Sequence, residues 1–282
     1  MNLPGESTFE KKTQNSFKSM DTTTGASHCH EQGLYLSDQH KLRLVLVGVR
    51  EAGKSATGNA ILGKKAFDEV GVKTRVSVSC QGLVQGTQVL VVDTPGWEWF
   101  NIQGTAASTW TLKKEMIRSM TLCHPGAHAL LLVVPLSFSF SKRERCAIEE
   151  HVELFGPEAW SYSLVLFTIL DIKQLRGSSP QQEVLENEEL HRLVRKCGGR
   201  FHALYSKPQG TKDQVAGLLT KIKKMVANNG ESVLSSEEIL ERAKEREEEE
   251  KRKEEEDRIK RNEKIRKSKD KKSKSRPSTS RC

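Results

Sequence analysis

Between residues 41 and 230 the chain alternates short apolar runs with amphipathic stretches. The runs Leu42–Val47, Ser77–Val84, Gln88–Val92, Ala129–Pro135, Ser163–Phe167 and Phe201–Tyr205 have the length and the aliphatic, β-branched content of strands. Between them, Lys54–Leu62, Thr109–Cys123, Lys142–Phe155, Glu183–Cys197 and Gln214–Asn228 carry one apolar face each and read as helices. Alternation of this kind builds βαβ units and a largely parallel sheet, because a parallel connection needs a crossover helix. The expectation is one doubly wound α/β domain with helices on both faces and no internal repeat.

The flanks follow other patterns. Residues 1–40 are rich in Ser, Thr, Gln and Lys without periodicity, and are expected to form a disordered arm. Asn228-Asn229-Gly230 is a stop signal, and Ser235 followed by Glu238 has the spacing of a capping box, so a new helix is predicted over 236–267. Its pairs Glu247/Lys251, Glu248/Arg252, Glu249/Lys253, Glu254/Arg258 and Glu256/Lys260 set an acid four residues before a base, each worth about 0.2–0.5 kcal/mol. Apolar residues are sparse in this stretch, essentially Ile239, Leu240, Ala243, Ile259 and Ile265. A solvated single helix therefore fits better than a coiled coil. Residues 268–282 are expected to be a basic disordered tail.

Composition sharpens this division. Of the 282 residues only 35% are hydrophobic and 6% aromatic, so part of the chain lies outside any packed core. Residues 241–282 hold 18 Lys/Arg and 12 Asp/Glu, which is +6 of the total formal charge of +9. The body is nearly neutral, which argues against a domain that coats nucleic acid. The tail bases have no aromatic residue among them for base stacking, so no specific nucleic-acid partner is expected; contact with an anionic membrane surface is open to them. The longest mostly apolar run, Ala127–Leu136, is far short of the roughly 20 residues that span a bilayer. The first 30 residues carry no apolar signal core, and the six cysteines include no C-x-x-C pair. A cytoplasmic setting with reduced thiols is expected. Cys29 lies between His28 and His30, but no second ligand pair stands at zinc spacing.

Three motifs carry chemistry. After the run Leu42–Val47 comes Gly48-Val49-Arg50-Glu51-Ala52-Gly53-Lys54-Ser55, a G-x-x-x-x-G-K-S loop between a strand and a helix. Gly48 and Gly53 let the backbone turn and approach phosphate oxygens, and the amides of residues 51–56, through Ala56, point inward at a helix start, where the dipole favours an anion. Lys54 can reach the β- and γ-phosphates, and the Ser55 hydroxyl can bind Mg²⁺. The second motif is Val91-Val92-Asp93-Thr94-Pro95-Gly96, in which Asp93 can hold Mg²⁺ through water and the Gly96 amide can sense a γ-phosphate. The third is Thr168-Ile169-Leu170-Asp171 at a strand end, where Asp171 can accept two hydrogen bonds from guanine N1–H and the 2-amino group, a pair that adenine lacks.

These motifs, with Cys123-His124-Pro125-Gly126-Ala127-His128, with Gly53–Gly63, with Asp93–Trp97, with Glu149–Gly156 and with Cys197–His202, resemble the GIMAP family of AIG-type, immunity-associated nucleotide-binding GTPases, relatives of septins and plant Toc GTPases. The resemblance covers about 41–230. It implies a Ras-like P-loop NTPase fold, GTP or GDP with Mg²⁺ as ligands, and homodimers or oligomers formed across the nucleotide face in the GTP state. It leaves contacts with other family members open, and it implies a cytoplasmic setting, often at the periphery of internal membranes. It also sets a switch I hydroxyl, a third Mg²⁺ contact, at Ser77, with Thr74 nearby. The last base-contact loop falls at Leu204-Tyr205-Ser206-Lys207, where Tyr205 could stack on the base and Ser206 could replace an amide contact.

The chain departs from the family pattern at three places: Ser77 stands for a threonine, Ile169 for the lysine that braces the guanine loop, and Ser206 for an asparagine. Many GTPases also place a water-orienting Gln after the D-x-x-G motif, where this chain has Trp97, followed by Glu98, Trp99 and Phe100. An apolar ring cannot orient water, so intrinsic hydrolysis is expected to be slow. A cation supplied across a dimer could compensate, and Arg118 is the candidate catalytic residue; its plain alternative is an exposed helix arginine. Trp97, Trp99 and Phe100 are either mobile switch II anchors or ordinary packing, and His128 at the start of a buried strand reads as structural. The expected function is a guanine-nucleotide switch with slow or dimer-activated hydrolysis. The alternative is a GTP-loaded scaffold that does not cycle and works through its charged helix.

Overall fold

The computed structural model describes residues 41–68, 74–98, 110–136, 140–175, 177–205 and 211–274. Expectations for the arm at 1–40, for Trp99, Phe100, Ser206 and Lys207, and for 275–282 lie outside these residues.

Six strands form one sheet in the order β2-β3-β1-β5-β6-β7: β1 (Lys41–Val47), β2 (Val78–Val84), β3 (Thr87–Asp93), β5 (Ala129–Pro135), β6 (Ser163–Ile169) and β7 (Phe201–Tyr205). All neighbours run parallel except β2, which pairs antiparallel with β3 through the short turn at Gln85-Gly86. Every residue of β5 and β6, and all of β1 after Lys41, is buried. That is why these strands read as unbroken apolar runs: a parallel strand covered on both faces has no solvent side to alternate with. The edge strand β2 shows the opposite pattern, with Val78 and Leu83 exposed and Cys80 and Val84 buried.

The helices are α1 (Lys54–Leu62), α2 (Trp110–Arg118), α3 (Lys142–Val152), α4 (Pro180–Glu186), α5 (Glu188–Lys196), α6 (Thr211–Asn228) and α7 (Ser236–Lys274). α1 touches α6 and α3 touches α5, while short 3₁₀ turns at Ser119–Cys123 and Glu153–Phe155 continue α2 and α3. Where one helix was expected over Glu183–Cys197, two are present. Asn187 ends α4, and its side-chain oxygen accepts from the Glu189 and Leu190 amides, capping α5. An asparagine that offers an oxygen to the next amides breaks the helix it stands in and starts another.

Two further differences concern the C-terminal part. A two-stranded sheet, β4 (Gly126–Ala127) with β8 (Leu234–Ser235), ties the segment before α7 to the body, and no periodicity marks strands so short. The last helix runs to Lys274 rather than stopping near 267, so 268–274 is helix and not tail; Lys, the commonest residue there, is a good helix former. The first turns of α7 are part of the body. Ile239 is buried, Leu240 and Ala243 pack on the core, Arg242 pairs with Glu158, and Lys114 bonds Glu247 at 2.7 Å. From Glu248 to Ile265 every side chain is exposed, as expected of a solvated helix. No described helix is long and apolar enough to cross a membrane.

His128 sits where β4 meets β5. Its Nδ1 accepts the Arg43 main-chain N–H at 3.0 Å, and the His128 main-chain N–H donates to the Arg43 carbonyl at 2.8 Å, a structural role. Burial, aided by Arg43, pushes its pKa down to about 4. The unfolded chain takes up this proton near pH 6.5 and the folded chain only near 4. Stability is therefore expected to fall as pH is lowered through that window. His128→Asn, which keeps an acceptor but cannot titrate, should lose less of its urea midpoint between pH 7 and 4.5 than the parent. His151 and His202, also pushed down by burial, leave a residual slope in both proteins. Equal losses would overturn this assignment.

Candidate functional site

The site forms beyond the carboxyl ends of β1, β3 and β6, where an open parallel sheet places its crevice. At Gly48 a Cβ would lie 2.5 Å from the Val133 carbonyl oxygen of β5, so only glycine lets the loop leave β1 this close to its neighbour. Gly53 has φ +87° and Glu51 φ +64°, the left-handed turns that curl the loop. α1 then begins at Lys54 without a capping side chain, which leaves its first-turn amides to be satisfied from outside. Free amides at an uncapped helix start suit an anion, while within the loop the Ala52 N–H donates to the Val49 carbonyl at 3.2 Å.

Around the cradle the charges are buried. Lys54 is 6% exposed, and its Nζ donates to the Gly48 and Val49 carbonyls at 3.2 and 2.9 Å. Burial pushes its pKa down to about 8, against the pull of Asp93. Asp93 is 2% exposed at the end of β3. Its Oδ2 accepts from Ser55 Oγ at 2.7 Å and from Thr74 Oγ1 at 3.4 Å, whereas its buried Oδ1 has no hydrogen-bond partner among the described residues. Burial raises the Asp93 pKa, while the Ser55 bond and Lys54 lower it. A buried carboxylate with an orphaned oxygen and two hydroxyls beside it is an all-oxygen donor set, the chemistry of a hard cation such as Mg²⁺.

Ser77 is not part of this group. Its N–H donates to Glu115 Oε1 of α2 at 2.8 Å, and its hydroxyl is buried without a partner. The hydroxyl that reaches Asp93 beside that of Ser55 is that of Thr74, three residues before Ser77. The reason is α2, whose Glu115 captures the backbone where β2 begins. The same carboxylate binds Arg118, from Nε at 2.8 Å and from Nη2 at 3.0 Å. Arg118 is half exposed and engaged within its own chain.

On the base side, Thr168 Oγ1 donates to the Ala52 carbonyl at 2.9 Å, propping the loop on β6. Asp171 lies just past β6, with Oδ1 accepting the Lys173 N–H at 3.0 Å. Ile169, at the expected place of a bracing lysine, is buried, and Leu170 is exposed. Tyr205 pairs in register with Ile169 and lies half-buried at the same sheet end.

Trp97 is buried. Its ring stacks on His151 at 4.0 Å, and its carbonyl accepts the Arg50 N–H at 2.6 Å, in a parallel bridge with Val49. Trp97 is therefore packing that joins the segment after Gly96 to the phosphate loop. At Gly96 a Cβ would lie 2.5 Å from Arg50 N and 2.6 Å from Lys54 Nζ, so this glycine allows the two motifs to touch. The contacts of Glu115 had no motif to announce them, whereas Thr74 lay beside the expected switch I hydroxyl and Glu98 directly followed the D-x-x-G segment.

A sequence profile of the AIG1 family matches residues 42–255. The chain belongs to the AIG1 family. The match runs past residue 230 into α7, in keeping with the packed first turns of that helix. Curated relatives include GTPase IMAP family member 8 of Mus musculus, 32% identical over 212 residues, and Immune-associated nucleotide-binding protein 12 of Arabidopsis thaliana, 31% identical over 208 residues. Those alignments cover 72% and 70% of this chain but 28% and 52% of the relatives' own lengths. Among solved structures, Toc33 of Arabidopsis thaliana has the same fold, with TM-score 0.52 and 16% identity over 68% of this AIG1 chain and 86% of that one.

The packing at Gly48 yields a test. In Gly48→Ala the loop must shift from β5, with an expected loss of about 1–3 kcal/mol. The urea midpoint should fall with an unchanged slope; an unchanged midpoint would show that the close approach is not constraining.

Proposed function

We propose that this protein is a guanine-nucleotide-binding switch. The observation that carries this reading is the buried pair Lys54 and Asp93 at the mouth of an uncapped cradle, with Asp93 Oδ1 left without a partner. The cradle amides from Glu51 to Ala56 and the Lys54 ammonium hold the phosphate chain, while Gly96 lets the next segment report on its end. Ser55, Asp93 and Thr74 hold Mg²⁺, which supplies positive charge against the phosphates when bound. Asp171 selects guanine through two hydrogen bonds, Tyr205 flanks the base, and Thr168 keeps the loop in register beneath it. Without the bracing lysine at Ile169, guanine affinity rests mainly on Asp171.

Self-association across the nucleotide face is part of the reading. It is supported by the fold shared with Toc33, which has been solved with GDP and Mg²⁺ and with Mg²⁺ and GMPPNP, and for which a dimerisation-deficient arginine mutant is known. For Toc33 and Toc159, dimerisation is important for GTPase activity. Hydrolysis by a lone protomer is slow, because Trp97 offers a buried ring where a water-orienting amide would serve. Arg118, half exposed and paired with Glu115 in the single protomer, is the candidate cation that a dimer would supply to the partner's nucleotide.

Calorimetry tests the reading. GDP and GTP should bind with Mg²⁺, and ATP should not compete at equal concentration. Asp171→Ala should weaken GDP at least about tenfold, the scale of losing charge-assisted hydrogen bonds. Lys54→Ala should abolish binding. ATP binding as tightly as GTP would refute the guanine assignment. Light scattering should give a larger particle with GMPPNP than with GDP, and equal masses would remove the dimer from the proposal.

A further inference from the structure

The side chain of Arg50 has no assigned task in the cradle, which uses backbone amides. It occupies the third position of the loop, beside the point where Gly96 and the Lys54 ammonium meet. Its Nη1 donates to Glu98 Oε1 at 2.9 Å, two residues beyond Gly96, and its Nε lies 3.7 Å from Glu51 Oε1. Phosphate loop and following segment are thus joined twice: by the main-chain bond from Arg50 to the Trp97 carbonyl, and by a side-chain ion pair.

The two cations of the loop differ in kind. Lys54 is buried and fixed on two carbonyls, whereas the Arg50 side chain is 30% exposed and the Glu98 side chain 61% exposed. A guanidinium is charged at every working pH, and its fork fits a phosphate as well as a carboxylate. Glu98 and a phosphate group arriving at the Gly96 end would compete for the same donor. A diphosphate leaves that end short of one dianionic group, so the competition falls on the triphosphate.

We propose that Arg50 and Glu98 form a latch that senses the terminal phosphate: Arg50 holds the segment after Gly96 through Glu98 in the diphosphate state and exchanges Glu98 for the terminal phosphate of a nucleoside triphosphate. Arg50 is then a specificity residue for triphosphate over diphosphate, and Glu98 its competitor. The inference rests on the guanine-nucleotide reading above. By linkage, the phosphate that displaces Glu98 removes the side-chain tie and leaves the main-chain bond from Arg50 to Trp97, and removing Glu98 must favour the triphosphate.

The test is a set of dissociation constants for GDP and for GMPPNP, each with Mg²⁺, on the full chain and on Glu98→Gln, Arg50→Gln and the double variant. Glu98 is exposed enough that its replacement leaves packing intact. Glu98→Gln is expected to shift the GMPPNP-to-GDP affinity ratio about two- to fivefold toward GMPPNP, the scale of a partly exposed ion pair. Arg50→Gln is expected to shift it about tenfold the other way, and in the Arg50→Gln background the Glu98→Gln effect should vanish. An unchanged ratio in Glu98→Gln, a shift shared equally by both nucleotides, or an effect that persists without Arg50 would overturn the latch. If the unaltered chain bound neither nucleotide, the guanine reading itself would fail. If it bound both and Glu98→Gln left the ratio unmoved, only the latch would.

Discussion

The constraint on which this structure turns is the burial of two opposite charges, Lys54 at the start of α1 and Asp93 at the end of β3. Moving an ammonium and a carboxylate out of water costs several kcal/mol each, and their attraction offsets this only when hydrogen bonds complete both shells. Lys54 has two carbonyls. Asp93 has two hydroxyls on one oxygen and none on the other. The pair is thus nearly, but not fully, satisfied by the chain. A polyanion over Lys54 and a cation beside Asp93 would complete both shells, and the resulting drop in free energy is what a binding site of this kind offers its ligand. The glycines follow from the same constraint, because only residues without a Cβ let the carbonyls and amides come close enough at Gly48 and Gly96.

How much of this was legible in the sequence depended on whether the determinants were contiguous. The sheet was readable because buried parallel strands are apolar at every position, as in Ala129–Pro135. The cradle was readable because its residues lie in one eight-residue stretch whose backbone conformation the glycines dictate. Thr168 was singled out as a base-side residue, but its tie to the Ala52 carbonyl joins positions 116 apart and could not be seen. The same holds for the tie from the Ser77 N–H to Glu115, 38 positions away. The break at Asn187 was legible in principle, since an asparagine before two glutamates is a capping signal, but the apolar periodicity on either side outweighed it.

The C-terminal helix shows the same division within one element. Its charge pattern spoke for a solvated rod, and from Glu248 to Ile265 it is one. Its first turns carry too few apolar residues to announce packing, yet burial of Ile239 alone removes a full aliphatic side chain from water, worth about 1.5–3 kcal/mol. That is several times the weight of any one of the acid–base pairs that follow. A few placed side chains, Ile239 with Leu240 and Ala243, therefore carry the body into this helix, and a count of apolar residues cannot find them.

Helix α2 connects the parts that the core does not. Three consecutive residues face three different elements: Lys113 bonds Glu150 of α3, Lys114 bonds Glu247 of α7, and Glu115 holds the Ser77 amide ahead of β2. Ion pairs with this much exposure contribute about 0–1 kcal/mol each, against several for a buried aromatic such as Phe155 or Phe167. The frame of the sheet is therefore held by packing that cannot exchange partners cheaply, and the contacts around α2 by charges that can. A site whose ligand is a polyanion acts most strongly on the second class, because new phosphate oxygens compete for cations and leave apolar contacts unmoved. Any response of this fold to its ligand should accordingly pass through the partner exchange of residues such as Arg50 and Glu115 before it reaches the strands.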